Sequence, residues 1–204
     1  MSRVEGELFF LHEENDSLRA ELGTSRSEMK KMSEDLVTMR AENDGCRKEN
    51  EELEMYSRRN SIRVFGIREE DKESCEQQVI GLCKTKLGIN LAESDIDRAH
   101  RIGPSWQRNP DPRRPRAILV KFVRHNVKSE VIHKRRLLKG SNVAIREDLT
   151  SYRQHLLTDI RGLPSIQAAW SYDGHITALH NDCKFTVRDR SDLENLRAIV
   201  ISGA

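Results

Sequence analysis

From Leu8 to Leu53 the apolar positions recur at alternating intervals of four and three residues without a slip. With position a set at Leu8, the a residues are Leu8, Asn15, Leu22, Met29, Leu36, Asn43 and Asn50. The d residues are Leu11, Leu18, Ser25, Met32, Met39, Cys46 and Leu53. An unbroken heptad run with no proline predicts a coiled coil, here roughly 70 Å long. Leu8, Leu11, Leu18, Leu22, Met29, Met32, Leu36, Met39 and Leu53 are its expected oligomerisation contacts.

Flanking charges decide how such helices pair. In a parallel, in-register assembly each g residue faces the e residue five positions on in its neighbour. The pairs are then Glu14–Arg19, Glu21–Arg26, Asp35–Arg40 and Glu42–Arg47, with Glu49–Glu54 alone repelling. An antiparallel pair would set acid on acid and base on base. The pattern predicts a parallel homo-oligomer rather than a solvated single helix, which would leave the apolar seam in water. Asn at a positions favours a dimer, whereas few β-branched a residues remove the strongest dimer signal, so stoichiometry stays open.

The seam fails beyond Leu53, and period-two patterning begins. The expected order is a strand over 61–67, a helix from Ser74 to a Gly88 stop, a strand over 95–102, a strand over 116–124, a helix capped by Asn126 and ending at Gly140, and a strand over 143–146. The loop from Gly103 to Pro115 holds four of the five prolines. A βαββαβ order over about 90 residues is that of a ferredoxin-like sandwich, the framework of RNA recognition motifs. The segment 115–122 can be laid on that motif's RNP1 pattern, but Ala117 and Leu119 stand where its base-stacking aromatics belong, and Arg63 takes the outward position on the first strand. Thr150 then opens a helix to Gly162. Stretches around Trp170, His175–Leu179 and Lys184–Val187, separated by Asp173-Gly174 and Asn181-Asp182, predict a three-stranded meander. Ser191 with Glu194 is expected to cap a terminal helix. The predicted fold class is therefore α+β: a coiled coil over 1–57, an RRM-like domain over 58–149 and a small C-terminal α/β domain over 150–204.

Charge sharpens this division. Residues 1–56 carry 8 Lys+Arg and 15 Asp+Glu, whereas the rest carries 27 and 18, so an acidic stalk bears a basic remainder. A basic domain of this kind predicts a polyanionic partner. Between Arg98 and Arg136 stand twelve Lys+Arg against two acids. Cys46, Cys75, Cys83 and Cys183 form no C-x-x-C pair, and the expectation is reduced thiols in an intracellular protein. Met1–Glu7 lacks the apolar core of a signal peptide and no 18-residue apolar run occurs, so neither secretion nor membrane spanning is expected.

Arg-Arg-Asn-Ser-Ile-Arg-Val-Phe-Gly-Ile (58–67), Asp-Arg-Ala-His-Arg-Ile-Gly (97–103), Pro-Arg-Ala-Ile-Leu-Val-Lys-Phe (115–122) and Ile-Arg-Glu-Asp-Leu-Thr (145–150) follow the coiled coil in order. Taken together they resemble the first-open-reading-frame protein of LINE-1-type non-LTR retrotransposons, over essentially the whole chain. The resemblance implies a trimeric coiled coil carrying an RNA recognition motif and a small C-terminal domain. It implies a non-catalytic protein that coats the element's RNA in cytoplasmic, or also nuclear, ribonucleoprotein particles and acts as a nucleic-acid chaperone. Two departures stand out: the stalk is short, and it lacks an Arg-h-x-x-h-Glu trimerisation pattern (h, hydrophobic).

The expected RNA-binding residues are Arg58, Arg59, Arg63, Arg98, His100, Arg101, Arg113, Arg114, Arg116, Lys121, Arg146 and Arg153. Arginine can stack its flat guanidinium on a base while pairing with phosphate, a substitute for absent aromatics. Mostly phosphate contacts imply sequence-tolerant, salt-sensitive binding of single-stranded RNA, with single-stranded DNA as an alternative. His175, His180 and Cys183 suggest strand or turn roles rather than a metal site, since a fourth ligand is missing. No phosphate-cradling glycine loop, nucleophile elbow or carboxylate dyad is present, so neither an enzyme nor a cofactor is expected. The competing reading is a non-catalytic coiled-coil scaffold, or a host-adopted module, whose basic domains bind protein.

Overall fold

The computed structural model describes residues 3–103 and 115–202, with the backbone alone for residues 3–5, 8 and 202. It is an α+β protein with one long N-terminal helix and antiparallel sheets. Helix α1 spans Arg3–Arg58, uninterrupted because no proline occurs in it. Its residues up to Asn50 form one unit and those from Glu51 onward belong to a second. Leu11, Leu18, Leu22, Met29, Met32, Leu36, Met39 and Leu53 are all exposed on it. The side chain of Leu8 lies outside the described residues.

In the second unit, β1 (Ser61–Phe65), β2 (Ile96–Arg101), β3 (Ile118–Phe122) and β4 (Ala144–Glu147) form an antiparallel sheet in the order β2-β3-β1-β4. Helices α2 (Cys75–Leu82) and α3 (His125–Lys134) pack on one of its faces. Ile62, Val64, Ile118, Val120, Phe122 and Ile145 meet Val79, Cys83, Leu87, Val131 and Ile132 there. β1 stops two residues earlier than its apolar run because Gly66 has φ +86, and a Cβ at that position would fall 1.9 Å from the Asn142 carbonyl oxygen. Ser74 caps α2 by accepting from the Gln77 amide at 3.2 Å. α2 runs into a π-turn, Cys83–Leu87, that ends at left-handed Gly88. The expected Asn126 cap is corrected: α3 begins at His125, and Asn126, already inside the first turn, accepts from its neighbour Val127.

A second core forms from α4 (Ser151–Arg161), the meander β5 (Ala168–Tyr172), β6 (His175–His180) and β7 (Cys183–Val187), and α5 (Arg190–Ser202). Thr150 caps α4 by accepting from the Arg153 amide. Both hairpin turns have two consecutive residues at positive φ, Asp173-Gly174 and Asn181-Asp182. Such turns match the twist of the strands they join. The cap of α5 differs from expectation: Asp189 accepts from the Asp192 amide, and Asp192 in turn accepts from the Arg188 amide. An aspartate already occupies the position preceding the helix, so Ser191 falls within the first turn.

The last turns of α1 are part of this second unit. Met55 is buried in the C-terminal core, Glu51 accepts from Thr150 Oγ1 and Arg153, and Arg58 pairs with Asp148. The two cores are joined at the Asp173-Gly174 turn. Asp173 accepts from Arg59 and His125, while the buried pair Lys128–Glu147 lies beside it, with Glu147 also accepting from the Gly174 amide. Bonds from Arg59 and His125 outweigh burial at Asp173 and hold its carboxyl below the usual range. A Cβ at Gly174 would come within 3.0–3.2 Å of the Met55 and Arg153 side chains, which would have to shift, and the φ of +79 itself favours glycine.

Candidate nucleic-acid interface

The face of the first sheet that neither α2 nor α3 covers is cationic. Its residues are set by register. Between Ile96 and Arg98 the β2–β3 pairing shifts by one residue, so Ile96 faces the core while Arg98, two residues on, faces outward. A bulge of this kind inverts the alternation in the remainder of the strand. One outward row then runs Arg98–Lys121–Ser61, and the next runs His100–Leu119–Arg63–Arg146 across all four strands. Phe65 stands beside Ala144, and the Arg146 guanidinium is 5.3 Å from its ring centroid. The one close carboxylate contact to a strand cation of this face among the described residues is Asp148, which accepts from Arg63 Nε at 2.6 Å. Lys121 approaches Asp97 only to 3.8 Å.

Five expected residues thus share one surface: Arg63, Arg98, His100, Lys121 and Arg146. The others are placed elsewhere. Arg101, expected as an RNA contact, does not stand on this face, because the bulge that turns Arg98 outward turns Arg101 inward. Its side chain is 5% exposed and bonds to Glu73, Gln78 and the carbonyls of Ile67, Arg68 and Arg116. Arg116 is held by Glu69 through backbone and side chain. Burial raises the Glu69 carboxyl, but the Arg116 bonds prevail and keep it below its usual range. Arg58, Arg59 and Arg153 are engaged by Asp148 and Glu54, by Asp173, and by Glu51 with the Gly174 carbonyl. Arg113 and Arg114 lie outside the described residues.

A second basic feature is only partly legible in sequence. A cleft of about 240 Å³ at the β4 edge is lined by Arg135, Arg146, Arg161 and Trp170, with Glu147 its one acid. Burial pushes the Arg135 guanidinium below its ordinary value, against the attraction of Glu147, and neighbouring Arg136 adds to the lowering. Burial, then repulsion from Arg146 and Arg135, does the same to Arg161. Glu147 is already taken by Lys128. Arg135 donates to the Ser171 carbonyl and Arg161 to the Ala169 carbonyl, and the three guanidiniums against one carboxylate shared with Lys128 still favour an anion, with Trp170 adding an aromatic wall. Arg135, Arg161 and Trp170 come from three separate elements, which is why spacing does not reveal them. Phe65 is within reach of sequence reasoning, since alternation from Ile62 and Val64 turns it outward.

His180, considered for a metal, instead meets the Ser165 carbonyl at 3.0 Å, with its ring near Phe185. Among the described residues no group of three His, Cys, Asp or Glu is placed to hold a metal ion, and no helix is long and apolar enough to cross a membrane. A scan of the sequence against protein-family models finds no match.

Proposed function

We propose that the protein is a sequence-tolerant single-stranded RNA-binding protein that works as a parallel homo-oligomer. The observation that carries this reading is the sheet face left open by α2 and α3, where Arg98, His100, Lys121, Arg63 and Arg146 stand in two cross-strand rows beside Phe65. Cationic rows bind phosphates whatever the base, and a stacking ring prefers unpaired strands. The strand order β2-β3-β1-β4 supports a ferredoxin-like, RRM-type assignment of this domain. The cleft of Arg135, Arg146 and Arg161 shares Arg146 with the face and would continue the same phosphate track.

Self-association draws support from heptad geometry. Glu51, Met55 and Arg58 occupy b, f and b positions, so the second unit grips the last turns of α1 on the side away from Leu53. Leu53, at d, is left 69% exposed and free for a second chain. Joining identical weak sites converts each further contact into an intramolecular one and raises affinity for one strand. The resemblance to LINE-1-type first-open-reading-frame proteins makes the proposed stalk a trimer and the proposed role RNA coating with nucleic-acid chaperoning and no catalysis.

Titration of fluorescent single-stranded RNA across a salt series tests the reading, using the native chain and a Leu22→Asp, Leu36→Asp variant. Log affinity should fall linearly with log salt, by about 0.7 per phosphate contacted. The variant should lose about 100-fold. Salt-indifferent or absent binding would favour the scaffold reading instead.

A further inference from the structure

Asp148 is the puzzling residue of this surface: a buried carboxylate among cations, where a polyanion would be repelled. Its side chain is 5% exposed and bridges two elements. Both its oxygens accept from Arg58 Nη1 at the end of α1, at 3.2 and 3.3 Å, and Oδ1 also accepts from Arg63 Nε on β1 at 2.6 Å. The backbone fixes it in turn, since its own amide donates to the Ser61 carbonyl.

The geometry at Arg63 is one-sided. Only Nε is held, and among the described residues neither terminal nitrogen of Arg63 has a partner, while the side chain remains 35% exposed. A guanidinium anchored through Nε still presents its Nη1–Nη2 fork, the edge that meets a phosphate with two parallel bonds. Arg63 occupies the middle of the row His100–Leu119–Arg63–Arg146, so the fork lies among the other candidate contacts. A free arginine side chain carries rotamer entropy that binding must otherwise remove.

We infer that Asp148 is a positioning residue for RNA: it holds Arg63 by Nε so that the terminal fork is set for a phosphate before the strand arrives. This rests on the RNA-binding reading above. It opposes the simple electrostatic expectation, in which deleting a negative charge beside the strand strengthens binding.

Asp148→Asn in the full chain separates the two, with Arg63→Ala and the double variant completing a cycle and thermal melts reporting folding. Asp148→Asn should weaken RNA binding about fivefold and make the salt slope shallower by about 0.7, one phosphate contact. In the Arg63→Ala background it should change affinity less than about twofold, because the fork that Asp148 sets is gone and Arg58, its other partner, stays tied to Glu54. Tighter binding with a steeper slope, or an equal loss in both backgrounds, overturns the inference and leaves RNA binding itself standing. Absence of RNA binding by the native chain removes both.

Discussion

Arg101 donates from Nε to Glu73 Oε1 at 2.7 Å, with both side chains almost withdrawn from solvent. The remaining donors hold the carbonyls of Ile67, Arg68 and Arg116, so one guanidinium ties the β1–α2 connection to the segment entering β3. Arg101→Ala takes the cation from a nearly buried carboxylate, which keeps only the Glu70 amide and Gln78, and removes the guanidinium from three carbonyls, so it should cost about 3 kcal/mol in urea unfolding. Arg98→Ala, on the exposed side of the same strand, should stay within about 0.5 kcal/mol while weakening RNA binding. Equal stability losses would mean that the bulge does not divide the two arginines as described.

Acid should loosen this region and, separately, the Asp173 turn that joins the two cores. Bonds from Arg101 hold Glu73 below its ordinary value, and Glu69 and Asp173 are depressed by Arg116 and by Arg59 with His125 despite burial. A carboxyl with a depressed folded pKa binds fewer protons folded than unfolded, so its stabilising effect is full above the unfolded pKa of about 4 and is lost as pH falls through the folded value. The urea midpoint should therefore drop below about pH 4, and less steeply in Asp173→Asn. An identical acid profile in the variant would exclude Asp173 from the effect.

Much of the molecule is dictated by local pattern. Apolar period two at Ile62–Val64 and Ile118–Phe122, the Ser74 and Thr150 caps and the Asp173-Gly174 turn all occur where the residues require them. The basic surface is harder to read. Whether a strand arginine faces solvent or core depends on register, and a one-residue bulge at Asp97 exchanges the roles of Arg98 and Arg101. Clusters assembled from distant elements, such as Arg135 with Arg161 and Trp170, have no local signature.

Phe65 and Arg146 contribute different physics to one contact. Stacking on an aromatic ring is worth about 1–3 kcal/mol per base and needs no counterion release, so Phe65→Ala should lower affinity about tenfold at every salt concentration with the slope unchanged. Arg146→Ala should lower affinity and make the slope shallower by about 0.7. A slope change in the phenylalanine variant would mean that its main effect is to release Arg146, which stands over the ring.

Cysteine accessibility can report on the stalk without altering it. Cys46 and Cys183 are exposed, whereas Cys75 and Cys83 are buried, and burial pushes the Cys83 thiol up to about 11. The thiolate is the reactive form, so Cys83 should resist alkylation until the chain unfolds. Cys46 occupies a d position, which faces the partner in a coiled coil but faces water in a lone helix. Brief labelling followed by mass spectrometry should thus find one fast thiol, Cys183, at high protein concentration and two on dilution. The transition should move to higher concentration in the Leu22→Asp, Leu36→Asp variant. Cys46 reacting as fast as Cys183 at every concentration would mean that the seam stays open, and parallel self-association would have to be abandoned.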